Sequence, residues 1–191
     1  MKILFSSLIV LAAIFSSCSN SNQKATQADS VVQKPLDVIN KKQPAYANGI
    51  KAITDSYITL KNALAADKDK DATSSGEKMV KAFEAFDESA LPEDKRKAYA
   101  DIEEDAIEHA EHIGKSIGNI NHQREHFATL SKDMYELVKL FGSGQPMYLD
   151  HCPMYDNNKG ADWLSETKEI NNPYLGKAMP DCGTVMEELK L

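Results

Sequence analysis

Four of the five histidines fall within one short stretch, at His109, His112, His122 and His126. On helices, residues three or four apart share a face, so His109/His112 and His122/His126 are each paired. Cys152 follows later, inside the run His151-Cys152-Pro153-Met154, and Cys182 later still. Imidazole, thiolate and thioether together form a soft donor set suited to Cu(I) or Ag(I), while Zn(II) would accept the histidines and cysteines alone. Hard cations such as Mg(II) would not select these donors. The chemistry these residue types and spacings suggest is metal binding, with the helix histidines and the sulfurs of the HCPM run as candidate donors.

Other readings of the same residues remain open at this stage. A histidine on an apolar stripe can be a hydrogen-bonded core residue. His122, and the positions near Glu108 and Glu111, read as solvated surface. Cys152 and Cys182 can instead close a disulfide in an oxidising compartment, worth roughly 3–4 kcal/mol in the loop-entropy picture. Met147, Met179 and Met186 read as packing residues.

No catalytic constellation competes with the metal reading. The chain has no glycine-rich phosphate loop, no GxSxG elbow and no HExxH helix. Its carboxylates scatter over expected solvent faces, and Cys152 beside His151 has no obvious orienting asparagine or oxyanion donors. A non-enzymatic protein is expected. With 22 Lys+Arg against 29 Asp+Glu and a net charge of -7 in 191 residues, a nucleic-acid partner is also excluded.

The elements that must position these residues are helical from Pro44 to Phe141. Ile50, Ile53, Tyr57, Leu60 and Leu64 place one helix at about residues 44–66. Ser74 and Glu77 have capping-box spacing before Met79, Phe83 and Phe86, which predicts a second helix reaching about residue 88. Pro92 suits the first turn of a third helix, whose inner stripe is Tyr99, Ile102, Ala106, His109 or Ala110, and Ile113. Gly118 ends it, and Asn119 or Asn121 caps a fourth helix carrying Phe127, Leu130, Met134, Leu137, Val138 and Phe141. The expected fold is all-α, an up-down four-helix bundle over residues 44–141. If the chain reverses at Gly118–Asn119, His112 and His126 both lie roughly 9–11 Å from the turn, at one level.

The last 50 residues differ in kind, with four of the seven prolines, five of the nine glycines and the only tryptophan. Their aromatic and sulfur-bearing side chains would make poor exposed linker, so residues 142–191 are expected to form a loop-rich cap on the bundle, in one folded unit with it over residues 44–191. An extended run from Gly142 to Cys152 covers up to about 33 Å. That is enough to return along the roughly 22 Å of helix from Phe141 to His126 and bring the HCPM run to the histidines.

The first cysteine belongs to a different feature. Lys2 precedes an apolar run from Ile3 to Phe15, which is shorter than the about 20 residues a membrane-spanning helix needs and fits the core of a secretory signal. Ser16 and Ser17 then precede Cys18. The pattern predicts a signal peptide over residues 1–17, cleaved so that Cys18 becomes the lipidated first residue. Residues 18–43 carry too little apolar surface to fold and read as a flexible tether.

Five segments carry a family resemblance: EHAEHI at 108–113, HQREHFATLS at 122–131, HCPMYDNNKGADWLS at 151–165, KEINNPYLGKAM at 168–179 and DCG at 181–183. Over about Tyr46 to Val185 the chain resembles a domain of unknown function found in exported lipoproteins of Gram-negative bacteria. The same domain occurs fused to periplasmic adaptor subunits of copper/silver-type heavy-metal efflux systems. The resemblance implies a helical bundle with a motif-rich cap and a role linked to heavy metals. The family's Cys-Pro-Met, later Cys-Gly and helix histidines map onto Cys152, Met154, Cys182, His109, His112 and His126. Tyr155 departs from the pattern where a small residue is usual, and Pro180 where leucine is usual. The Asn157–Gly160 turn and Asn172-Pro173-Tyr174 are expected to be architectural.

Together these observations predict a periplasmic lipoprotein, tethered to the membrane through Cys18. It would bind a soft ion, with Cu(I) ahead of Zn(II) or Ag(I), for sequestration or for delivery to a heavy-metal efflux component. The competing expectation is a non-enzymatic interaction module, in which a Cys152–Cys182 disulfide fixes the cap and the cap docks on an envelope partner.

Overall fold

The structure, a computed structural model, describes residues 44–190. The expected leader (residues 1–17), Cys18 and the tether (residues 18–43) lie outside the described residues. Four long helices follow one another: α1 Ala47–Ala65, α2 Asp69–Glu84, α3 Glu93–Lys115 and α4 Ile120–Phe141. Each packs on its neighbour in sequence, and α4 closes back on α1. The expected inner stripes are the buried ones: Ile50, Ile53, Tyr57, Leu60 and Leu64 on α1, and Tyr99, Ile102, Ala106, Ala110 and Ile113 on α3. Between the two candidates for one inner position of α3, Ala110 takes the core and His109 sits at its edge.

The start of α2 differs from the expectation. Ser74 and Glu77 lie inside the helix, which begins at Asp69 with Asp69 and Asp71 in its first turn. Those two carboxylates favour the positive end of the helix dipole. Ser75 bonds back to the Asp71 carbonyl at 2.7 Å, the mid-helix alternative to capping.

Two glycines let α2 and α3 touch. A Cβ on Gly76 would stand 2.7 Å from the Ala110 carbonyl oxygen and 3.0 Å from the Gly114 amide nitrogen, both backbone atoms that cannot swing aside. Gly76→Ala is therefore expected to destabilise the protein by about 1–3 kcal/mol despite alanine's better helix propensity. Urea unfolding checks it, and an unchanged or raised midpoint would mean that the two helices are not in this close contact.

The C-terminal segment corrects the all-α expectation. It contains a three-stranded antiparallel sheet, β1 Met147–Cys152, β2 Ala161–Ser165 and β3 Thr184–Leu189, in the order β2-β1-β3. β1 lies at the centre, pairing Asp150 with Trp163 on one side and with Val185 on the other. The prolines and glycines that read as loop punctuate the strands. Asp156, Asn157, Asn158 and Gly160 all take positive φ in the turn joining β1 to β2, a conformation that Asn and Asp tolerate best among residues with side chains.

The sheet packs on α4 through β2 and shares its core with the bundle. Tyr57 of α1 joins the layers, its hydroxyl meeting Ser131 of α4 at 2.8 Å and accepting the Leu164 amide of β2 at 3.0 Å. Arg124 of α4 donates to the carbonyls of Pro173 and Leu64 and to the Asp67 carboxylate, tying the cap to the α1–α2 turn. Asn172 is fully buried, and its side chain accepts the amides of Tyr174 and Leu175, so Asn172-Pro173-Tyr174 is architectural as expected. Tyr155 has a physical account as well: its ring stacks on Tyr174 at 4.4 Å.

Candidate metal centre

The α3–α4 turn sets the histidines' positions. α3 ends at Lys115 with Ser116 as its C-cap, Gly118 takes φ +80°, and the Asn119 side chain accepts the His122 amide at 3.3 Å, so α4 starts at Ile120 with a capped end. Buried Gln123 then fixes the corner. Its amide donates to the Asp69 carbonyl, the Thr73 hydroxyl and the Ile113 carbonyl, at 3.0, 3.0 and 3.3 Å. One side chain of α4 thereby locks α2 and α3 beside the imidazoles.

His109 and His112 on α3 meet His122 and His126 on α4. His126 lies at the centre of the group. Its Nδ1 is 3.0 Å from His109 Nδ1, its Nε2 is 3.3 Å from His122 Nε2, and its ring stacks on His112 with centroids 4.3 Å apart and planes 3° from parallel. Ligand atoms of His112, His122 and His126 all lie within 4.8 Å of one another, the one such group among the described residues. A tetrahedral ion with metal–nitrogen bonds of about 2.0–2.1 Å holds its nitrogens about 3.3–3.4 Å apart. The His122–His126 separation already matches that edge.

The remaining ring nitrogens are oriented from outside the group. His122 Nδ1 meets Glu125 Oε2 at 3.0 Å, the carboxylate–imidazole arrangement that fixes a ligand's tautomer and raises its basicity. His109 Nδ1 stands in the equivalent place behind His126 Nδ1, and with the proton on His126 Nδ1 the lone pair of His126 Nε2 would be available to an ion. Burial pushes the His109 and His126 imidazoles below the ordinary histidine range, with the neighbouring histidines adding to it, so both favour the neutral form that metals require. His112 and His122 keep side-chain exposures of 48% and 41%, so the group is open to solvent on their side.

The six expected ligands divide into two sets. His112 and His126 belong to the imidazole group, with His109 as an orienting partner. Cys152, Met154 and Cys182 lie on the sheet. Cys152 is fully buried at the end of β1, with its Sγ 3.5 Å from Cys182 Sγ, and both are free thiols. Met154 is exposed, in the turn after β1. Among the described residues no cysteine joins the imidazole group. His122, read from sequence as surface, is a member; its i, i+4 spacing to His126 was the available signal. His151 is held elsewhere, its Nδ1 2.6 Å from Asp162 across the β1–β2 pair.

Residues 53–146 match the family described as "Protein of unknown function (DUF3347)". That span contains the four-histidine group and stops short of the sheet. Neither the curated proteins nor the solved structures include a match to the chain.

Proposed function

We propose that this chain is a lipid-anchored periplasmic protein that binds a heavy-metal ion, Cu(I) foremost, for sequestration or delivery to an efflux system. The observation that carries the reading is the convergence of His112, His122 and His126, with Glu125 and His109 set behind two of them. A lone histidine at a bundle surface needs no explanation. Three imidazoles whose donor atoms lie within 4.8 Å of one another, one pair already at 3.3 Å and two of the rings with a partner behind them, support reading the group as a ligand set.

Imidazole suits copper and zinc, so Zn(II) would occupy the same nitrogens, and supply rather than affinity would select the ion. An open, solvent-facing site favours exchange over permanent storage, which fits a carrier. The apolar run before Ser16, Ser17 and Cys18 supports the export and anchoring part of the proposal.

Calorimetric titration of the chain with Cu(I) and with Zn(II) tests it. One ion per chain is expected at the imidazole site, read with Zn(II) in the unaltered chain and with Cu(I) in a Cys152→Ser, Cys182→Ser background, with affinity for each metal falling at least about 100-fold when His112→Phe and His122→Phe are added. A ligand loss should exceed the about 10–100-fold of an outer-shell loss. Equal, weak binding by both proteins would sink the proposal.

A further inference from the structure

The thiol pair is a second cluster of metal-ligating groups, and the imidazole site does not use it. β1 delivers Cys152 to the sheet interior, opposite Ala161 of β2 and next to β3. Cys182 arrives just before β3, its amide bonded to the Met179 carbonyl at 3.2 Å and its carbonyl accepting the Asn172 side-chain amide. Buried Asn172 also takes the Pro180 carbonyl on its own amide, at 2.9 Å, so the loop presenting Cys182 is pinned on both sides. The sulfurs face each other at 3.5 Å. Met154 and Met179, the residues whose backbones bracket Cys182, are 47% and 40% exposed.

We infer that Cys152 and Cys182 form a second metal site, separate from the imidazole group, that takes a soft monovalent ion such as Cu(I) or Ag(I) between two thiolates. With metal–sulfur bonds of about 2.3 Å, sulfurs sharing one ion stand about 3.8 Å apart in tetrahedral geometry and about 4.0 Å in trigonal geometry. Two thiolates that bind the ion in line stand about 4.6 Å apart with bonds of that length. The observed 3.5 Å pair must therefore open by a few tenths of an ångström where a further donor such as a methionine thioether joins, and by about 1.1 Å where none does. That movement falls to the half-buried Cys182 beside Gly183.

The donor count selects the ion. Among the described residues no histidine, carboxylate or third thiol completes a set of three around these sulfurs. Zn(II) seeks four ligands of that kind, whereas a monovalent d10 ion is satisfied by two or three soft donors. Binding breaks two S–H bonds, forms two S–metal bonds and releases two protons to solvent, with no change of oxidation state.

Ag(I) is the probe, added under argon to the chain carrying Cys18→Ser, so that Cys152 and Cys182 are its only thiols. One tightly held Ag(I) per chain is expected, with loss of both thiols to Ellman's reagent and release of two protons. Cys182→Ser should weaken it at least about 100-fold, beyond the about 10–100-fold of an outer-shell change. The His112→Phe, His122→Phe double variant should retain it, so failure here and failure of the imidazole proposal give different patterns. Cys152→Ser should behave as Cys182→Ser does, and near-ultraviolet dichroism of Trp163 reports whether that buried change still folds. The inference is overturned if Ag(I) affinity is unchanged in Cys182→Ser, if it is lost in the histidine variant alone, or if the two cysteines form a disulfide that reductant cannot open in the folded chain.

Discussion

Asp150→Asn is expected to stabilise the protein by about 2–4 kcal/mol more at pH 8 than at pH 4. Asp150 is fully buried at the centre of the sheet, and neither carboxylate oxygen has a hydrogen-bond partner. The cation that would ordinarily answer it is committed elsewhere: Lys61, itself 1% exposed, gives its ammonium to Glu166 at 2.8 Å. Burial accordingly pushes the Asp150 carboxyl up to about 7, against the attraction of Lys61 and with the repulsion of Glu166.

The sign follows from which state holds the proton. A carboxyl raised in the folded state keeps its proton there while the unfolded chain has already released its own. The stabilisation is therefore complete below the unfolded value near 4, and it is lost as pH rises towards the folded value near 7. Asparagine is neutral throughout and nearly isosteric, and every other titrating group is common to both chains. Urea unfolding of the two proteins at several pH values isolates the effect in the gap between the curves. Parallel curves would show that Asp150 ionises in the folded protein without cost.

The same carboxylate shows why the sheet was hidden in the sequence. A central strand normally reads as alternating or continuous apolar residues, but β1 is Met-Tyr-Leu-Asp-His-Cys, with a charged residue at one of its most buried positions. β3 fails the pattern differently. As an edge strand it leaves most of Thr184–Leu189 exposed and carries two glutamates. The helices were legible because each buries one long stripe at a period of 3.6, which survives single polar intrusions. The start of α2 was not, since Ser74 and Glu77 imitate a cap in the middle of the element.

Half of the candidate site was legible on the same grounds. Spacing put His109, His112 and His126 on neighbouring helices, and the short α3–α4 turn put His112 and His126 at one height. Whether the cap reached them was a question of direction, and chain length alone bounds only distance. The 142–152 segment could have extended to the histidines. Pairing with β2 and β3 instead carries Cys152 into the sheet, opposite Cys182.

His126→Ala is expected to cause the largest loss of affinity at the imidazole site of any single substitution, read with Zn(II), at least about 100-fold and above the about 10–100-fold of outer-shell changes. His126 stands in contact with each of the other three histidines. Removing it deletes one ligand, breaks the 3.3 Å edge it makes with His122, and leaves His112 without the ring it stacks on. The outer partners should give smaller effects. Glu125→Gln keeps a hydrogen bond to His122 Nδ1 but removes the charge that strengthens it, and His109→Phe fills the same volume without orienting His126 Nδ1. Each is expected to cost about 10–100-fold. Competition titrations with a chromophoric chelator rank the three on one scale. Should His109→Phe lose as much as His126→Ala, His109 is itself a ligand and the centre has four imidazoles. If none of the three moves the affinity by tenfold, or about 1.4 kcal/mol, the imidazole group holds no ion, and its short contacts are the packing of neutral rings at a helix corner.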